Sequence, residues 1–416
     1  MIQSPRAILA LLTLLNFVNY LDRFLVIAVG PEIQKPNTGL GLDDGQIGWV
    51  TSAFMFGYFL TSPLFGRLGD QRARKHLIAL GVAVWSLATV ASGSASSFGT
   101  MIAARVFVGI GEASYATLSP TIIDDIAPPE KKNRYLAVFY LATPVGSALG
   151  FILGGQLQHH YGWRNAFYVA GGPGLLLAVI ALLLVEPKRT FETRQGKSSS
   201  LETIAELWKR PAYVVAVLGY VAQTFALGGF VQWAPHYLER AHHMQLKDAD
   251  FWLGGIAVLT GIAGTAAGGA WADRMKGDRV IVSLKICAVS GALTAPFAAA
   301  CLFMPSPTLF FVFAALCELS LFLSVAPVNV AVMLSAPARL RASALAISIF
   351  MIHLLGDLIS PPLIGEISKA AGGDAHALRL GMYLLPITFA LSAIIWARGA
   401  RIKHAVTEEP TAAGIS

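Results

Sequence analysis

Charge is scarce in this chain of 416 residues: 13% are Asp, Glu, Lys or Arg, against about 25% in a soluble domain. With 55% hydrophobic residues, that shortage excludes an ordinary soluble enzyme or signalling module. Cysteine is nearly absent. Cys287, Cys301 and Cys317 all lie in apolar runs, form no CxxC pair and have no metal-ligand spacing, so they read as core packing. No nucleophile, metal or phosphate motif points to catalysis. The glycine runs Gly254-Gly255 and Gly261 to Gly269 lack phosphate-loop order and read as helix packing. The formal charge of +7 does not imply nucleic acid, because the basic residues sit in short loops between apolar segments, where they set membrane orientation. No cofactor is expected beyond a proton as coupling ion.

What the chain does have is apolar runs of spanning length. A membrane helix needs about 20 such residues. Twelve runs meet that length: 7–30, 46–65, 76–95, 100–123, 135–158, 163–185, 212–233, 251–272, 280–303, 308–333, 341–367 and 377–398. The first is longer than the apolar part of a secretory leader and is expected to stay as a membrane helix. An even count puts both termini on one side. Taking that side as cytoplasmic assigns it 22 of the 31 Lys and Arg residues and assigns six to the other side, which fixes the orientation by the positive-inside rule. A bacterial inner membrane is the expected location.

One long polar stretch, Glu186 to Arg210, divides the chain. Gln195 to Ser200 is flexible in composition, and Leu201 to Lys209 is suited to a short amphipathic helix. The expected units are a bundle of six helices at 1–185, a cytoplasmic linker at 186–211, a second six-helix bundle at 212–400 and a tail at 401–416. The halves repeat. Gly66 and Asp70 follow span 2, and Gly269 and Asp273 follow span 8; Arg134 opens span 5 as Arg341 opens span 11. Parallel halves of this kind are the plan of major facilitator transporters.

Charges also lie within the apolar runs: Asp22 and Arg23 in span 1, Arg105 and Glu112 in span 4, Glu318 in span 10, and His353 and Asp357 in span 11. Each costs roughly 3 kcal/mol at a helix centre on the milder scales, so such residues face a protein interior or a watery path. Arg105 and Glu112 are two helical turns apart and share a face, as do His353 and Asp357 at i, i+4. Asp22, Glu112, His353 and Asp357 are candidates for proton exchange; a static salt bridge between Asp22 and Arg105 and a fixed polar contact at His353–Asp357 are the plainer alternatives. A guanidinium offers phosphate a planar fork, so Arg105 is a candidate headgroup anchor. Asp124 and Asp125 are expected to pair with Lys131 or Arg134. Pro361-Pro362 is expected to break span 11 near its outer end.

Gly66-Arg67-Leu68-Gly69-Asp70-Gln71-Arg72-Ala73-Arg74-Lys75 resembles the loop signature of the major facilitator superfamily. The resemblance implies a cytoplasmic gate in which Asp70 meets Arg134 and the N-terminus of span 11, with Gly66, Arg74, Asp273 and Arg341 taking part. A narrower resemblance, to the Spinster family, runs through nearly the whole chain. It is carried by Asn19-Tyr20-Leu21-Asp22-Arg23-Phe24, by Arg105 and Gly109 to Tyr115 with Pro120 to Ile123, by Tyr140 with Pro144 to Ser147, by Trp233-Ala234-Pro235, and by His353 to Asp357 with Ser360-Pro361. It implies a proton-dependent transporter of an amphipathic lipid, lysophospholipid or sphingosine-1-phosphate-like. Arg23, Arg105, Tyr115, Glu318 and Trp233 would then contact substrate in a cavity between the halves, and a monomer suffices. A proton-coupled antiporter of drugs or small organic anions and a pH-independent lipid scramblase remain as alternatives.

Overall fold

In hydrocarbon every backbone N–H and C=O must be paired within its own segment, and long apolar runs therefore fold as helices. The computed structural model describes residues 2–128, 131–186 and 200–402. Among the described residues, eleven helical stretches are long and apolar enough to cross a membrane. The helix Asp44–Gln71, with 28 residues, fills the remaining place of the twelve-helix plan.

The first half comprises α1 (Pro5–Ala28), the short α2 (Gly30–Gln34), α3 (Asp44–Gln71), α4 (Arg74–Gly93), α5 (Phe98–Ile126), α6 (Lys132–Tyr161) and α7 (Trp163–Leu182). After α8 (Ser200–Trp208), the second half holds α9 (Pro211–His242), α10 (Leu246–Arg274) and α11 (Arg279–Phe303). Its remaining spans are divided: α12 (Pro307–Phe322) with α13 (Val325–Leu334), α14 (Arg341–Ile352) with α15 (Ser360–Ala370), and α16 (Ala375–Met382) with α17 (Leu384–Gly399). Local chemistry sets several starts. Asp43 and Ser97 close capping boxes at α3 and α5, Asp278 accepts two backbone N–H bonds at α11, and Pro5, Pro211 and Pro307 occupy first-turn positions where a missing N–H is harmless.

The amphipathic helix expected at Leu201 to Lys209 appears as α8, anchored by Leu207 in the core of the second half. The linker residues 187–199 and the tail beyond 402 lie outside the described residues. Span 11 breaks earlier than its prolines. A π-helical turn covers His353–Asp357, and Pro361 and Pro362 sit in the first turn of α15, where they are tolerated.

Packing divides the molecule by level. At the basic face, where α1, α4 and α6 begin, each half has its own core. Leu12, Leu15, Trp85, Tyr115 and Phe139 build one; Tyr213, Leu284, Val328 and Trp396 build the other. At the opposite face one core is shared, with Leu25, Phe151 and Phe167 from the first half and Phe230, Trp233, Tyr237 and Phe389 from the second. Close helix approach makes that seam. A Cβ on Gly48 of α3 would lie 2.6 Å from the Pro361 carbonyl oxygen of α15, and one on Gly254 of α10 would lie 2.9 Å from Ala148 O of α6. The halves are joined at one end and independently packed at the other.

Candidate functional site

The first-half charges converge. Asp22 of α1 and Arg105 of α5 are fully buried, with Arg105 Nη1 4.0 Å from Asp22 Oδ2. Thr89 of α4 donates its hydroxyl to the same oxygen at 2.7 Å. One residue on, Arg23 gives its Nη2 to Glu112 Oε2. Both guanidinium groups look onto Phe54 of α3, Arg23 at 4.6 Å from the ring centroid and Arg105 at 5.9 Å, within cation–π range; Tyr20 lies 5.0 Å from Arg23. Two carboxylates and two guanidiniums thus offset one another on two helices, α1 and α5, of one bundle.

The cluster keeps unused capacity. Among the described residues, Asp22 Oδ1, Glu112 Oε1 and all three guanidinium nitrogens of Arg105 have no hydrogen-bond partner. Such groups are costly to bury unpaired. They can accept a proton or donate to an anionic guest without first breaking a strong bond. Thr89 and Phe54 complete the cluster; a lone threonine in an apolar run carries no signal, whereas Phe54 belongs to the aromatic stretch Phe54, Phe56, Tyr58 and Phe59 of span 2.

Other candidates are dispersed. Tyr115 sits inside the first core, donating its hydroxyl to Leu12 O at 2.6 Å with Trp85 edge-on at 5.6 Å. Trp233 is in the shared core, where its indole N–H donates to Pro361 O at 3.1 Å. Glu318 accepts from Thr260 at 3.0 Å and borders a small cavity of about 50 Å³ beside Phe24 and Phe151. His353 and Asp357 meet at 2.7 Å in the π-helical turn, with Asp357 close to Gly228 of α9.

At the basic face, Arg74 stays within its own half: its Nη2 is 2.6 Å from Asp125 Oδ2 and its Nε 2.9 Å from Glu186 Oε1. Asp125 therefore pairs with Arg74 rather than with Lys131 or Arg134, because α4 begins beside the end of α5. Gly66 faces Thr117 of α5, Asp273 pairs with Arg279 of the same half at 3.4 Å, and Arg134 and Arg341 are exposed. The side chain of Asp70 lies outside the described residues.

The opposite face holds a latch that the sequence does not announce. Asp44 at the start of α3 receives Arg240 of α9 at 2.6 and 2.8 Å, Gln34 at 2.7 Å and the Ser368 hydroxyl of α15. Lys369–Asp43 and Lys35–Glu239 bridge the halves beside it at 3.1 and 3.4 Å.

Comparison with known proteins converges on one group. The profile of the Major Facilitator Superfamily matches residues 12–361. Protein spinster homolog 1 of Bos taurus is 34% identical over 88% of this chain and 74% of its own. Probable sphingolipid transporter spinster homolog 1 of Arabidopsis thaliana is 29% identical over 95% and 88%. Among solved structures, a bacterial homolog to the human lysosomal transporter Spinster, in inward-facing and occupied conformation, superposes with a TM-score of 0.82 at 22% identity, covering 94% of this chain and 96% of that one.

Proposed function

The chain belongs to the spinster group of the major facilitator superfamily, a multi-pass membrane transporter, and on that premise we propose that it moves an amphipathic lipid, a lysophospholipid or sphingosine-1-phosphate-like molecule, in exchange for or together with protons. The observation that carries this reading is the buried cluster of Asp22, Arg23, Arg105 and Glu112 with its unpartnered polar atoms. In this mechanism Asp22 and Glu112 take up and release protons, and each change alters the hold on the neighbouring guanidinium. Arg105 reads the negative headgroup. The sphingolipid transporter named among the relatives supports an amphiphile over a sugar or nucleoside.

The packing supports a mechanism of alternating access. With the basic face cytoplasmic, as the distribution of Lys and Arg supports, the shared core and the Asp44–Arg240 latch close the outer side and the molecule faces inward. Transport then requires the latch to part while the basic face closes, with Asp70, Arg134 and Arg341 as the contacts proposed for that closure. The halves 1–185 and 212–400 move as units about the linker 186–211, both termini stay cytoplasmic and the membrane is a bacterial inner membrane. A proton gradient supplies about 1.4 kcal/mol per pH unit and about 2.3 kcal/mol per 100 mV, enough to concentrate substrate tenfold.

The test is lysolipid transport by the purified protein in liposomes, with and without an imposed pH gradient, beside Asp22→Asn, Glu112→Gln and Arg105→Ala. Gradient-driven uptake that both carboxylate variants lose is the expected result. Equilibration indifferent to pH and to all three changes would instead make the protein a scramblase. Absence of lipid movement, with uptake of a small organic anion, would replace the substrate class.

A further inference from the structure

The first half carries a second feature, apart from the buried cluster, with the chemistry of a lipid seat. Helices α1 and α6 are held together from Gly146 outward by glycines spaced four apart. A Cβ at Gly146 would lie 2.6 Å from Phe17 O, at Gly150 2.6 Å from Leu21 O, and at Gly154 2.8 Å from Ala28 Cβ. Toward the basic face this ladder ends and branched side chains replace it. Asn16 still ties the helices by donating to Phe139 O at 3.0 Å. Alongside it, the surfaces of α1 and α6 leave a cleft of about 720 Å³.

The cleft is amphipathic along its length. Arg6, Lys131 and Arg134 stand at the basic end, all exposed, and Leu14, Leu141 and Val145 line the run toward mid-membrane, exposed as well. Among the described residues, none of the three cations has an ion-pair partner and no acidic side chain lines the cleft. The Thr13 hydroxyl in its wall is buried without a hydrogen-bond partner among the described residues. The positive-inside rule accounts for cations at this face; it does not account for a cavity that continues below them along an apolar wall. From Arg6 to Phe17 the α1 face extends about 16 Å, room for a substantial part of one acyl chain.

We propose that this cleft binds a single-chain anionic phospholipid from the adjacent leaflet, its phosphate among Arg6, Lys131 and Arg134 and its chain between α1 and α6. Its service as a loading station for transport rests on the function proposed above; the binding itself does not.

The experiment uses the full chain and a lysophosphatidic acid with a photoreactive tail. Affinity is measured in detergent at low salt, and the crosslinked peptides are mapped by mass spectrometry. Near-surface cations attract anionic lipid by about fivefold each, so Arg6→Gln/Lys131→Gln/Arg134→Gln should weaken binding on the order of a hundredfold, with the effect shrinking as salt rises. Crosslinks should fall on residues 9–17 and 138–145. Leu141→Trp, which fills the cleft and spares the charges, should lower affinity at least tenfold, and Arg6→Lys/Arg134→Lys should retain most of it, showing a folded protein. Lysophosphatidylcholine and inorganic phosphate should compete poorly. Undiminished binding in the triple variant or in Leu141→Trp, crosslinks confined to other helices, or phosphate competing as well as the lipid would each overturn the proposal. Site-resolved crosslinking separates the two readings: labelling of residues 9–17 and 138–145 that the triple variant and Leu141→Trp lose reports this cleft, whether or not the protein transports lipid.

Discussion

Asp44 and Arg240, 196 positions apart in the chain, meet through two hydrogen bonds of 2.6 and 2.8 Å at the one face where the halves of this protein share a core. The carboxylate is buried and the guanidinium largely so. Gln34 and Ser368 fill the remaining acceptor positions of Asp44. A contact so fully satisfied and so poorly hydrated is a strong local determinant of which face is closed.

Breaking it should therefore shift the conformational balance. Hydrogen bonds to charged groups contribute about 1.5–3 kcal/mol, so Arg240→Ala should raise the population open at that face by roughly 10- to 100-fold. Pulsed electron–electron distance measurements between spin labels at the exposed positions Asn37 and His376 would report it as a new, longer distance. An unchanged distance distribution would mean that the shared apolar core alone holds the face shut.

Those labels require that the native thiols stay silent. Cys287, Cys301 and Cys317 are all buried, and a thiol sealed in an apolar core is inert. Maleimide should leave the folded wild-type protein unmodified and label it only after denaturation. Labelling of the native protein would show that these cores open on the timescale of the reaction.

The lysine beside the latch gives a pH signature of known sign. Lys35 lies outside the membrane helices, 2.7 Å from Glu32 and 3.4 Å from Glu239 of the other half. Burial opposes its charge, but hydrogen bonds and charges from Glu32 and Glu239 outweigh burial and hold the ammonium above its ordinary range. A raised lysine contributes at all pH values below the unpaired value of about 10.4 and loses that contribution as pH climbs through the raised one. Lys35→Gln should thus weaken closure by the same small factor at pH 6 and pH 8, with the difference from wild type vanishing only above pH 10. A difference that changes between pH 6 and 8 would mean that another group controls this face.

Membrane spans, bundle number and family were legible because each depends on local composition or on contiguous motifs. A run such as 135–158 must be helical in lipid whatever surrounds it, and Asn19 to Phe24 carries its resemblance within six residues. The meeting of span 1 with span 4 was legible in outline, since charges at similar depth in lipid must seek one another. The approach of Asp22 to Arg105 was legible too; that Arg23 goes to Glu112 and Asp22 also takes Thr89 was not, a choice made by helix rotation. Tyr115 belongs to a specific run yet points into the first core, because motif membership does not say which side of a helix faces a cavity.

Hydrophobic length, charge spacing and loop charge act locally, and from the amino-acid order they already make this a helical membrane transporter of two repeated halves with ionisable groups inside. Tertiary structure alone decided which face is closed, that Asp44 finds Arg240, and that α1 and α6 part below Gly146 to leave a cleft under Arg6 and Arg134. Those outcomes depend on how closely helices distant in the chain approach one another, a quantity fixed by the sum of many side-chain contacts rather than by any segment of sequence.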